Sequence, residues 1–179
     1  MNTTALIISF SILVSCICGG TLPAQDTGAP SLKAGAFTFT GAKNWKAKAE
    51  KRAMSTGGMT YTGKGGPLDA DFYHFGTGAG GSVEANIARW QGQFEGKPKP
   101  KEETLKFGDV SIHFISLEGT FLSGRPVGPK KALKDQAMLG AIVESKSGHV
   151  FVKLVGAKKS VDQAVEAFKA LCISPFKKK

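Results

Sequence analysis

The chain has 179 residues, a formal net charge of +10, and 41% hydrophobic residues. That length is one domain by the usual prior and is enough for a real core. Its three cysteines show no C-x-x-C or His–Cys spacing, which excludes a zinc site of the usual kind.

The first element is an apolar run over 5–14, Ala-Leu-Ile-Ile-Ser-Phe-Ser-Ile-Leu-Val. It has the length of a signal-peptide core, about 7–15 residues, and falls short of the roughly 20 that a membrane-spanning helix needs. No Asp, Glu, Lys or Arg occurs before Asp26. The run ends in Leu13-Val14-Ser15-Cys16, which resembles the lipobox of bacterial lipoproteins. In that family the cysteine is diacylated and becomes the new N-terminus, so the resemblance implies a signal peptide over 1–15 and a lipid anchor at Cys16. Two acyl chains hold a protein stably at a membrane where one does not. The alternative is ordinary cleavage after Gly20 or Ala24, which would release a secreted, soluble protein. Residues 16–34, rich in Gly, Pro, Thr and Ala, read as a flexible linker behind the anchor.

The folded domain is expected over 35–176. Phe37 and Phe39 alternate with Thr38 and Thr40, the period of a half-buried strand. A second strand over 59–62 meets a turn signal at Gly63-Lys64-Gly65-Gly66-Pro67, and a third covers 70–75. Ser82 then caps a helix whose Val83, Ile87, Trp90 and Phe94 form one stripe at helical period. The helix ends at Gly96, and Lys97-Pro98-Lys99-Pro100-Lys101 makes a stiff exposed loop. Val110, Ile112 and Phe114 open another strand, which continues to Phe121 past a turn at Gly119. Residues 124–134 read as a basic loop. The clearest hairpin follows, with strands over 138–143 and 150–155 about the turn Ser145-Lys146-Ser147-Gly148. Ser160 and Gln163 have the spacing of a capping box for a last helix. Its buried stripe is Val161, Ala164, Val165, Phe168, Leu171 and Cys172, and it stops at Pro175 before a basic tail over 177–179. Clustered hairpins with two clear helices and no repeated βαβ alternation predict an α+β fold, a mostly antiparallel curved sheet with two main helices packed on it.

Few residues point to chemistry. Gly76-Thr77-Gly78-Ala79-Gly80-Gly81 satisfies G-x-G-x-x-G between a strand and a helix. A dinucleotide site would also need a buried parallel strand after that helix, ending in an acidic residue. Here the helix runs into the Lys-Pro loop, so the glycines read as a turn. Anion binding by the free helical amides at Gly78, Gly80, Gly81 and Ser82 stays open. His74, His113 and His149 have no Cys or His at ligand spacing, and no G-x-S-x-G motif is present. Asp69 and Asp71 share one strand face but are too few for calcium, and read as solvated edge charges. Cys172 reads as a small buried hydrophobe, with pairing to Cys18 as the alternative. No metal, cofactor or catalytic residue is expected. An enzyme using His74 and the 76–81 loop is the alternative.

Over 35–176 the chain resembles a group of exported bacterial lipoproteins. The resemblance rests on Trp45, on Met54 or Met59, on Asn86, Arg89 and Trp90 after the Gly-rich loop, and on Gly-Ala-Ile-Val at 140–143 with the Gly-x-x-Phe-x-Lys-Leu-x-Gly run at 148–156. The order of elements is also similar to the PsbP-like fold. Members of that fold share no chemistry, so the resemblance implies a fold and a cell-envelope location but no reaction. Lysine carries the positive charge, with arginine only at 52, 89 and 125. For an exported protein that surface predicts contact with anionic lipid headgroups or acidic polysaccharide and not nucleic acid. Plain solubility explains the charge equally well. The expectation is a monomeric, non-catalytic binding or accessory module on the membrane, facing the periplasm or exterior. Its anion-contacting candidates are Lys97, Lys99, Lys101, Arg125, Lys130 and Lys131.

Overall fold

A computed structural model describes residues 28–124 and 127–177. The expectations for the signal segment, Cys16, Cys18 and Arg125 lie outside the described residues. A short hairpin, β1 (Ser31–Ala34) and β2 (Phe37–Thr40), stands apart from the main sheet. That sheet has seven strands: β3 (Trp45–Ala47), β4 (Gly57–Gly63), β5 (Gly66–His74), β6 (Lys101–Phe107), β7 (Val110–Ser123), β8 (Lys131–Glu144) and β9 (Val150–Ala157). Their order is β3-β4-β5-β9-β8-β7-β6, and every pairing is antiparallel. The helix α1 (Val83–Gln91) lies in the connection from β5 to β6, and α2 (Lys158–Cys172) follows β9. This is the α+β architecture that the hairpin-like strands predict.

Strict alternation along the central strands assigns each face its helix. Leu68, Ala70 and Phe72 of β5 and Val150, Val152 and Leu154 of β9 point to one side, where α2 covers them with Val161, Ala164, Phe168 and Leu171. The residues between point to the other side. There Met138, Ile142 and Phe151 meet Val83, Ile87 and Trp90 of α1. All four members of the predicted stripe are buried, Phe94 included, although α1 ends at Gln91 and Phe94 sits in a separate bridge to Phe121. Trp90 lies so close over β8 that any side chain at Gly140 would enter its ring.

Several boundaries move. β1 takes residues 31–34 from the predicted linker, because Leu32 and Ala34 find apolar cover beside β4 and β5. β8 begins at Lys131, so 131–134 are not part of the expected basic loop. The exposed lysines of 131–134 belong to a hairpin arm that pairs Ser123 with Lys131. β6 carries no strand signal because it is an edge strand in which only Leu105 and Phe107 are partly covered, and charged residues and Thr104 fill the rest. The predicted capping box is absent. The helix α2 starts at Lys158 without a side-chain cap, and Ser160 is nearly buried, its hydroxyl donating to the Gly65 carbonyl at 2.6 Å. Val165 is half-buried where full burial was expected. Cys172 is a fully buried free thiol, and burial pushes its ionisation well above the ordinary range.

Candidate functional site

The α1 face of the sheet is only half covered. Beyond β9 the apolar packing beneath α1 reaches only Tyr73 of β5, and the same face of β4, β5 and β9 also carries Thr60, Asp69, Asp71 and Lys153. The loop from β3 to β4 brings Lys48 and Arg52 over them. Lys48 Nζ bridges both carboxylates, 2.9 Å from Asp69 and 3.0 Å from Asp71. Arg52 Nε reaches the second oxygen of Asp71 at 3.3 Å, and the Thr60 hydroxyl donates to Asp69 at 2.7 Å. Asp71 is 5% exposed. Asp71 is therefore not a solvated edge charge, while Asp69 stays exposed but paired: β5 is an interior strand, and folding draws long cations over both from a loop that sequence spacing does not connect to them.

Electrostatics follow from this geometry. Burial works against the Asp69 carboxylate, but hydrogen bonds from Lys48 and Thr60 hold it below its ordinary range. Burial likewise opposes charge on Lys48, and the paired carboxylates raise it above its usual value in spite of that. Lys153 goes the other way. Burial, aided by the positive charge of Arg52, pushes its ammonium down to about 8. An open groove of about 390 Å³ runs over this cluster toward the start of α2, lined by Arg52, Pro67, Asp71, Lys153, Val155 and Ser160 among others. Lysine in an otherwise apolar-alternating strand, Phe-Val-Lys-Leu, was the one sequence signal for it.

The glycine loop is built as a support for α1. Ser82 caps the helix, its Oγ accepting from the Ala85 amide at 3.2 Å. The Asn86 side-chain amide donates to the Gly80 and Ser82 carbonyls at 2.8 Å each, and Arg89 donates to Asn86 Oδ1 at 2.6 Å. Asn86 and Arg89 of the family-like motif thus lock the loop to the helix. The Glu84 carboxylate accepts from its own backbone amide and from Ser82, which holds it below its ordinary range. Protein groups therefore already serve this helix N-terminus. His74 packs beside Gly35 and Gly148, where an added Cβ at either would strike its ring. Its Nδ1 donates to the His149 carbonyl at 3.1 Å, a structural setting for the residue. His113 lies between Glu144 at 2.9 Å and the Thr104 hydroxyl at 3.1 Å. Among the described residues, no group of three or more His, Cys, Asp or Glu could hold a metal ion.

Most of the basic segments lie toward one end of the sheet, and Lys101 lies at its middle. Strand register places the β4–β5 turn, the Ser123–Lys131 pair and the start of α2 together, at the end where β8 begins and β7 finishes. Lys101 pairs with Ser116 of β7, and residues 97–100 run back from there toward the Phe94–Phe121 bridge. Lys97, Lys99, Lys101, Lys130 and Lys131 are all exposed. Pro30 lies beside Trp45, whose partner Tyr61 is two residues from the β4–β5 turn. The chain therefore enters the domain from this same end.

No protein-family model matches the chain, and no curated protein matches it in sequence. Its architecture is similar to that of cyanobacterial PsbP (CyanoP) from Synechocystis sp. PCC 6803. The TM-score is 0.53 at 9% identity, over 90% of this chain and 99% of that one. LpqN, described as involved in cell envelope biogenesis of Mycobacterium tuberculosis, aligns with a TM-score of 0.41 at 14% identity, over 74% of this chain and 78% of that one. The sheet order, the two helices and the first of these likenesses together make this a PsbP-like α+β fold.

Proposed function

We propose that this chain is an exported cell-envelope protein, anchored through a diacylated Cys16, which acts as a non-catalytic binding module with its lysine-rich end turned toward an anionic membrane surface. One observation carries the proposal: the chain enters the folded domain at the end of the sheet toward which Lys97, Lys99, Lys130 and Lys131 are exposed. A lipid anchor attached there holds those lysines within reach of headgroups. Each basic residue near an anionic leaflet contributes about 1 kcal/mol. The attraction acts over a Debye length of about 8 Å at physiological salt. The apolar run ending at Cys16 supports export and anchoring.

Vesicle co-sedimentation across a salt series tests the surface, and mass spectrometry of the N-terminal peptide tests the anchor. Binding of the Cys16→Ala chain to anionic vesicles should weaken with salt and with Lys97→Ser, Lys99→Ser and Lys101→Ser combined. Binding that never occurs, or that is indifferent to salt, refutes the electrostatic surface. An unmodified N-terminus at Thr21 or Gln25 refutes the anchor and makes the protein a secreted one.

A further inference from the structure

The half-covered face holds a cation that its protein partners do not balance. Lys153 projects from β9 between Phe151 and Val155, on the side where both neighbours join the packing under α1. Its ammonium donates to Gln93 Oε1 and lies 5.5 Å from the centre of the Phe121 ring. Both partners are uncharged. Its cross-strand neighbour Asp71 is engaged on both oxygens, by Lys48 at 3.0 Å and Arg52 at 3.3 Å, and Asp69 is engaged by Lys48 and Thr60. Three cations therefore share two carboxylates, and both Arg52 and Lys153 line the groove.

We infer that this groove is a binding site for a small oxyanion, a carboxylate or phosphate group held between Lys153 Nζ and the Arg52 guanidinium. The reasons are those of charge and solvation. A partly buried ammonium without a carboxylate has lost water and gained only neutral acceptors, and an anion restores the missing interaction. Arg52 is mostly exposed and is engaged by Asp71 through Nε and by the Tyr73 hydroxyl, which leaves further N–H donors to present to a ligand. The aspartates do not repel it strongly, because Lys48 neutralises the pair from behind. At about 390 Å³ the groove suits a small molecule, and Val155 and Pro67 offer apolar contact to its body. The inference does not depend on the anchor or on the lysine-rich end.

The test is a ¹H–¹⁵N NMR titration of the full Cys16→Ala chain with inorganic phosphate, and separately with acetate, at fixed ionic strength. Saturable shifts are expected at the amides of Arg52, Asp71, Lys153 and Val155. Affinity should fall at least tenfold in Lys153→Met and in Arg52→Gln, and should survive in Lys153→Arg. Because Arg52 lies on the surface, its variant remains informative even if Lys153→Met fails to fold. The stronger of the two probes identifies the oxyanion. Overturning results are an absence of saturable shifts with both probes, affinity unchanged in Arg52→Gln, or shifts spread over 97–101 and 130–134 (an adventitious ion only). None of these bears on vesicle binding, so the two proposals fail separately.

Discussion

The two faces of the sheet are built on opposite principles. The α2 face is apolar at its centre: Phe72, Val152, Leu154, Phe168 and Leu171 are each at most 1% exposed, and charge enters only at its edge, where Lys169 pairs with Glu103 beside Phe114. The α1 face has a dry half beneath Trp90 and a polar half over β4, β5 and β9, where charge is buried and paired. Apolar burial is non-directional and tolerates many sequences, so the first face explains why the chain folds. Buried ions add little net stability but constrain geometry, so the second face is where this fold differs from a purely structural one.

If the comparison is right, the largest loss should come from the dry face. Phe168→Ala should destabilise by about 3–5 kcal/mol in chemical denaturation, since it empties a fully packed site. A loss under 1 kcal/mol would mean that α2 is not the principal cover. Gly140→Ala should cost about 1–3 kcal/mol by forcing Trp90 and α1 off β8. In a double-mutant cycle most of that penalty should disappear in a Trp90→Ala background.

The polar half should respond to pH instead. Asp69 ionises more readily when folded than unfolded, so its contribution is present above the unfolded value near 4 and is lost as pH falls through the lower folded value. Asp69→Asn should therefore flatten the acid limb of a Tm-against-pH curve. For Lys153 the sign reverses. Its folded value of about 8 lies below the ordinary 10.5, so the unfolded chain binds more protons between those two values. Stability from this group should then rise from pH 8 to 10.5, and its burial penalty should be full below pH 8. In Lys153→Met that alkaline rise should vanish. The smallest effect belongs to the exposed lysines: Lys97→Ser or Lys99→Ser should change stability by less than about 0.5 kcal/mol, while still lowering vesicle binding.

Much of the dry architecture was legible because it is periodic. The α1 stripe from Val83 to Phe94, the turn at 63–67 and the hairpin about 145–148 announce themselves through spacing and turn residues. β6 did not, since an edge strand needs few apolar residues, and β1 did not, since Ser-Leu-Lys-Ala lacks the aromatic and β-branched alternation that marks Phe-Thr-Phe-Thr of equal length in β2. The polar cluster was the least legible. Asp69 and Asp71 were visible as a pair, but Lys48 and Arg52 come from a loop about twenty residues away, and Lys153 from a strand some eighty residues on.

The sequence by itself determined the α+β class, the two helices and most strands, because local periodicity states which side of each element must be buried. It also supplied the apolar leader and the lysine surplus, which are properties of composition. Only the tertiary structure decided that β5 pairs with β9, since nothing local states which strands become neighbours. That single pairing sets Asp71 beside Lys153, leaves one cation without a carboxylate, and brings the lysine-rich segments to the end where the chain enters.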